Sequence, residues 1–144
     1  IKDIKGAFFQ MHNLLKNDGI IFHNYNPFFS VNGGHSLGIG DAPFMHLRLN
    51  FNDYIDYIKL NRKYESEIAT KWLNHSMNKE ISQQRLKKII HETGFEIIFF
   101  QSNNYNKFNF DINKQILNEC IQNYNFLTLD DLLGSNVTII AKKI

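Results

Sequence analysis

Leu14-Leu15-Lys16-Asn17-Asp18-Gly19 runs straight into Ile20-Ile21-Phe22, and the reading of this junction decides the fold class. Upstream of it, Ile4, Ala7, Phe8, Met11, Leu14 and Leu15 recur at steps of three and four, which places them on one face of a helix spanning 1–17. Asn17-Asp18-Gly19 ends that helix, with Gly19 expected in the left-handed position after a helix end. Ile20-Ile21-Phe22 is continuous rather than alternating, the pattern of a strand covered on both faces, as in a parallel sheet. Helix, tight turn and buried strand make half of an α/β unit.

Working outward, residues 24–49 show no sustained periodicity and hold both prolines and four of the eight glycines. A loop of this length is functional or disordered far more often than it is a plain connection. Phe28, Phe29, Phe44 and Met45 argue for an ordered loop folded over something. Asn50 or Asn52 caps the next helix, whose apolar face is Phe51, Tyr54, Ile55 and Ile58; Ile68 and Trp72 belong to a second helix or its continuation. A helix over 80–93 stops at Gly94, and Phe95 to Phe100 is the second strand. Asp111 is read as the cap of an amphipathic helix with Ile112, Ile116, Leu117, Cys120, Ile121 and Tyr124 inward. Thr128-Leu129-Asp130-Asp131 reads as a capping box opening one short turn, and Val137 to Ala141 is the last strand. The residues thus predict one α/β domain over 1–144, with no internal repeat and no linker.

Composition narrows the classes. Of the 144 residues 43% are hydrophobic, including 13 Phe and 6 Tyr, which is enough apolar surface to exclude a disordered chain. No apolar run approaches the roughly 18 residues of a membrane-spanning helix, so no membrane partner is expected. One cysteine, Cys120, excludes an internal disulfide framework and suits a reducing compartment such as the cytoplasm. Sixteen basic residues against 14 acidic ones give no nucleic-acid signal. The 19 Asn, and Lys outnumbering Arg 13 to 3, are read as the bias of an AT-rich genome. The chain starts at Ile1 already in helical pattern, which leads to the expectation of a piece cut from something longer.

The Leu15-Lys16-Asn17-Asp18-Gly19 turn before one strand and the Gly94-Phe95 step before the next resemble the C-terminal half of a class I S-adenosylmethionine-dependent methyltransferase. That resemblance spans the whole chain but only half of such a domain. It implies a partial Rossmann-like methyltransferase sheet of three strands with flanking helices, the last strand inserted antiparallel between the other two. S-adenosylmethionine would serve the full-length protein, although the glycine-rich turn and ribose-binding carboxylate of the family have no counterpart here. Gly33-Gly34 and Gly38-x-Gly40 lie some ten residues ahead of the next helix and read as loop turns.

Tyr25-Asn26-Pro27-Phe28 resembles the (Asp/Asn)-Pro-Pro-(Tyr/Phe) motif of amino-methylating members, with Phe28 standing where the second proline would be. The resemblance makes Tyr25, Asn26 and Phe28 candidate substrate-binding residues; the plain alternative is that Pro27 redirects the chain while Phe28 and Phe29 pack the loop down. His35 and His46 fall in the loop after a strand's C-terminal end, where open α/β sheets bind ligands, and are the candidate catalytic pair, orienting or deprotonating a methyl acceptor. Their alternative is structural: a loop turn for His35, packing beside Phe44 and Leu47 for His46. His35, Asp41 and His46 match no short metal-ligand spacing, so no metal is expected. Cys120 reads as an inert core thiol, and Tyr105, Phe108 and Phe110 as an aromatic wall or as core. Two further readings stay open: a non-enzymatic α/β interaction or remnant domain, whose exposed sheet edge would pair with a partner or second copy, and another Rossmann-like transferase. A hydrolase is disfavoured, since no G-x-S-x-G occurs.

Overall fold

The computed structural model describes residues 2–35, 40–103 and 112–144. Helix α1 (Ile4–Leu14) opens at Asp3, whose side chain accepts a hydrogen bond from Gly6 N, and leads into β1 (Ile20–Tyr25). The turn between them differs from expectation in one detail: Asp18 (φ +61°), not Gly19, takes the left-handed conformation. Gly19 is needed instead for close approach, because a Cβ there would meet Lys16 O at 2.8 Å.

Helices α2 (Met45–Arg48), α3 (Phe51–Asn61) and α4 (Ser66–His75) follow, then α5 (Gln83–Glu92) and β2 (Phe95–Asn103). Short polar side chains start two of these helices: Asn50 accepts from Asp53 N for α3 and Ser82 from Arg85 N for α5. Helix α6 (Lys114–Asn123) is capped by Asn113, two residues beyond the expected cap; Asp111 lies outside the described residues. Helix α7 (Leu129–Leu133) carries the expected capping box between Thr128 and Asp131, and β3 (Asn136–Lys143) ends the chain's secondary structure.

The three strands form one sheet in the order β1-β3-β2, with β3 antiparallel to both neighbours. The class is therefore α/β with flanking helices, and the last strand is antiparallel, as expected. The order is not that of a Rossmann sheet: every pair of neighbours is antiparallel. Strands β1 and β2 nonetheless run the same way, so their carboxyl ends lie on one side, beside the start of β3.

The expectation of strands covered on both faces is corrected. One face packs against α1 and α5 through Phe8, Leu86, Ile90, Ile21, Phe95 and Ile139. The opposite face carries Phe22, 70% exposed, in a cross-strand row with Ile140 and Phe99. A continuous apolar run cannot tell these cases apart, since it records two apolar faces and not what covers them. A β-bulge between Ile97 and Phe99 turns Ile98 outward as well.

A second core lies beyond the strand ends. Phe28, Phe29, Phe44, Leu47, Tyr54, Ile58, Leu73, Cys120 and Leu132 close on one another there, so residues of the long loop seal α2, α3, α4, α6 and α7 together. Asp131, almost fully enclosed, accepts from Gln83 N through Oδ1 at 2.7 Å and from Thr128 N through Oδ2 at 3.0 Å, tying the start of α5 to the start of α7. Burial pushes the Cys120 thiol up to about 12, in keeping with an inert core cysteine.

Candidate functional site

A cleft of about 400 Å³ opens at the carboxyl ends of β1 and β2. Strand ends supply Asn26, Asn103 and Asn136, and the loop supplies Ser30, Asn32 and His35. Strands that run the same way place their carboxyl-end residues on one side of the sheet, which is why ligand sites of α/β sheets occur here.

The loop wall is built by short turns. Gly33 N donates to Ser30 O and His35 N to Asn32 O, each at 2.9 Å, while Ser30 Oγ turns back to Pro27 O at 3.1 Å. Gly33 passes so close to the Phe28 carbonyl that no Cβ fits between them. His35 adopts φ +52°, an uncommon conformation for a non-glycine residue and one that over-determined sites hold in place. Its ring meets Trp72 edge to face at 6.0 Å.

The strand wall is a ladder of amides. Asn24 Nδ2 donates to Asn136 Oδ1 at 3.0 Å and to Thr138 Oγ1 at 2.8 Å. Asn136 Nδ2 donates to Asn24 Oδ1 at 3.1 Å and to Asn26 Oδ1 at 3.0 Å. The Asn26 oxygen, the group that would accept from an amine in the amino-methylating motif, is thus already engaged by Asn136.

His46 does not line this cleft. It is 2% exposed, and its Nε2 donates to Phe28 O at 2.8 Å, with the Phe28 ring edge-on at 5.1 Å. Burial pulls its pKa down to about 4, against backbone hydrogen bonds at Phe28 and Ser30 that favour the charged form. The neutral ring braces the loop from inside, so the structure gives the two candidate histidines different surroundings.

Tyr25, Asn26 and Phe28 do come together, on a smaller cavity of about 260 Å³ that they share with His23 and Met77. Tyr25 stacks on His23 at 5.6 Å, and burial, then Asp131, raises its phenol pKa. Burial lowers that of His23. The Tyr25 hydroxyl is shut off from solvent with no hydrogen-bond partner among the described residues. Asn26 stands on both the cavity and the cleft.

Asn103 and Asn136 were missed by sequence reasoning. Their signal was position, an asparagine at the end of one strand and at the start of the next, and a chain with 19 Asn hides it. Tyr105, Phe108 and Phe110 lie outside the described residues, as does Gly38. No three His, Cys, Asp or Glu side chains among the described residues gather as a metal site, and no described helix is long and apolar enough to cross a membrane. Comparison with protein-family models, with curated proteins and with solved structures finds no match to this chain.

Proposed function

We propose that this chain forms the acceptor side of an S-adenosylmethionine-dependent methyltransferase. The observation that carries the reading is β3 lying antiparallel between β1 and β2, with a polar cleft at the shared strand ends. This supports the reading because the resemblance carried by the Lys16-to-Gly19 turn and the Gly94-Phe95 step implies a last strand inserted antiparallel between two others. In this reading His35 orients the acceptor or takes its proton, and Asn26 positions it. His46 acts through the loop it braces, and Tyr25 and Phe28 shape the floor beneath Asn26.

The described residues do not fit the methyl donor itself. Strand β1 is followed by turns through residue 34, and the described lining of the cleft includes no carboxylate for ribose hydroxyls. Seating the donor therefore falls to residues other than those described, and the proposed role of the cleft is confined to the acceptor.

Calorimetric titration of the protein translated from its complete reading frame tests the reading. Saturable binding of S-adenosylmethionine, with methyl transfer lowered in His35→Ala while donor affinity is unchanged, is the expected result. No donor binding overturns it. The open apolar row of Phe22, Ile140 and Phe99 favours a second reading, an interaction domain, which predicts that same absence of donor binding.

A further inference from the structure

The hydrogen-bond ladder of the cleft engages one side of the Asn26 amide and leaves the other side open. An amide nitrogen only donates and an amide oxygen only accepts. Asn136 Nδ2 has two hydrogens; one goes to Asn24 Oδ1 and the other to Asn26 Oδ1. In this arrangement Asn26 turns its oxygen toward Asn136 and its two N–H donors away. Those donors have no acceptor among the described residues, and the side-chain amides of Asn32 and Asn103 are likewise unengaged there. Asn32 and Asn103, held by no such ladder, can present either oxygen or nitrogen. The described lining includes no Lys, Arg, Asp or Glu.

We propose that this cleft binds a neutral ligand by a planar amide edge, a carbonyl next to an N–H, as found in a cyclic imide or a primary carboxamide. Asn26 Nδ2 donates to the ligand carbonyl, and an Asn32 or Asn103 oxygen accepts the neighbouring N–H. The protein already makes this two-bond pairing with itself, in the reciprocal Asn24–Asn136 contact at 3.0 and 3.1 Å. An anion entering the described lining meets no Lys or Arg and a cation meets no carboxylate, so both are disfavoured against a neutral ligand. A volume of about 400 Å³ suits a small molecule. The inference deepens the acceptor-site reading and rests on it for the ligand's later fate, whereas binding stands as a separate claim.

Titrations followed by the side-chain amide signals of ¹⁵N-labelled protein test it with four probes: uridine, 3-methyluridine, N-acetylglutaminamide and inorganic phosphate. Uridine or N-acetylglutaminamide, or both, moves the Asn26 signals saturably, and which of them does so identifies a ring imide or a carboxamide as the source. 3-Methyluridine, lacking the N–H, binds about ten-fold more weakly than uridine. Asn26→Asp, of nearly the same shape, loses about ten-fold or more in affinity, and Asn136→Leu, which releases the Asn26 rotor, also weakens binding. Unchanged thermal melting of Asn26→Asp separates lost binding from lost folding, and Asn26→Ser repeats the arm if that variant melts early. The proposal is overturned if neither amide probe saturates by about 10 mM, if phosphate binds more tightly than both, or if Asn26→Asp binds like the parent. Donor titration of the complete protein reads the methyltransferase assignment independently: amide binding without donor binding removes that assignment alone, and donor binding without amide binding removes this proposal alone.

Discussion

His46 donates its Nε2 hydrogen to the carbonyl oxygen of Phe28 at 2.8 Å, joining α2 to the segment that leaves β1 eighteen residues earlier. The ring is enclosed by Phe28 and Tyr54, and the carbonyl it holds is the one that Gly33 crosses. One neutral imidazole thus sets the course of the loop whose outer side carries Asn32 and His35.

That placement makes stability depend on pH. In the unfolded chain a histidine titrates near its ordinary 6.5, whereas the folded protein keeps His46 neutral down to about 4. Between those values the unfolded state binds a proton that the folded state refuses. The contribution of neutral His46 is therefore complete above 6.5 and is lost as pH falls toward 4, with a slope of roughly 1 kcal/mol per pH unit. Exposed carboxylates held below their usual range, such as Asp18 beside Lys142 and Glu92 beside Lys5, add acid sensitivity of the same sign. Urea unfolding of His46→Gln against the parent isolates the histidine: the parent loses more stability than the variant from pH 6.5 to 4. Equal losses would show that His46 titrates normally when folded.

A polar atom without a partner gives the second prediction. The Tyr25 hydroxyl is buried with nothing to bond among the described residues, and an unmet buried hydroxyl costs about 1–3 kcal/mol. Tyr25→Phe keeps the stack on His23 and removes only that oxygen. The variant is expected to melt at the same temperature or a few degrees higher, by about 1 kcal/mol at most. A clear drop in melting temperature would mean that the hydroxyl is satisfied in solution.

These two residues also show what the sequence could and could not disclose. Periodicity placed α1, α3, α5 and α6, because a buried face repeats every three or four residues whatever it packs against. Asn50 marked the start of α3, and the Thr128–Asp131 box is present as read. The antiparallel course of β3 came through resemblance alone, since no spacing within Val137 to Ala141 encodes which strands flank it. His46 and His35 look alike in sequence, two histidines in one glycine-containing loop, yet one is 2% exposed and the other lines a cleft. Only tertiary packing separates them. The amide ladder was illegible for a different reason: Asn136 stands more than a hundred positions from Asn24 and Asn26, and becomes their neighbour only through the β1–β3 register.

The open sheet face supplies the last prediction. Phe22 is 70% exposed on β1, a strand that has β3 on one side and no strand among the described residues on the other. Its ring contributes little to the stability of the chain as it stands, because burial, not identity, is what stabilises an aromatic side chain. Phe22→Thr installs a β-branched strand former, so its unfolding free energy should change by about 0.5 kcal/mol or less. Ile139, in the neighbouring strand but on the closed face, gives the contrast: Ile139→Ala removes a fully enclosed side chain and should cost about 2–5 kcal/mol. Chemical denaturation at two protein concentrations decides the matter. A loss for Phe22→Thr that approaches that of Ile139→Ala, and that grows with concentration, would show the face covered by a second copy in solution. A small, concentration-independent change leaves Phe22, Ile140 and Phe99 as an open apolar row on the single chain.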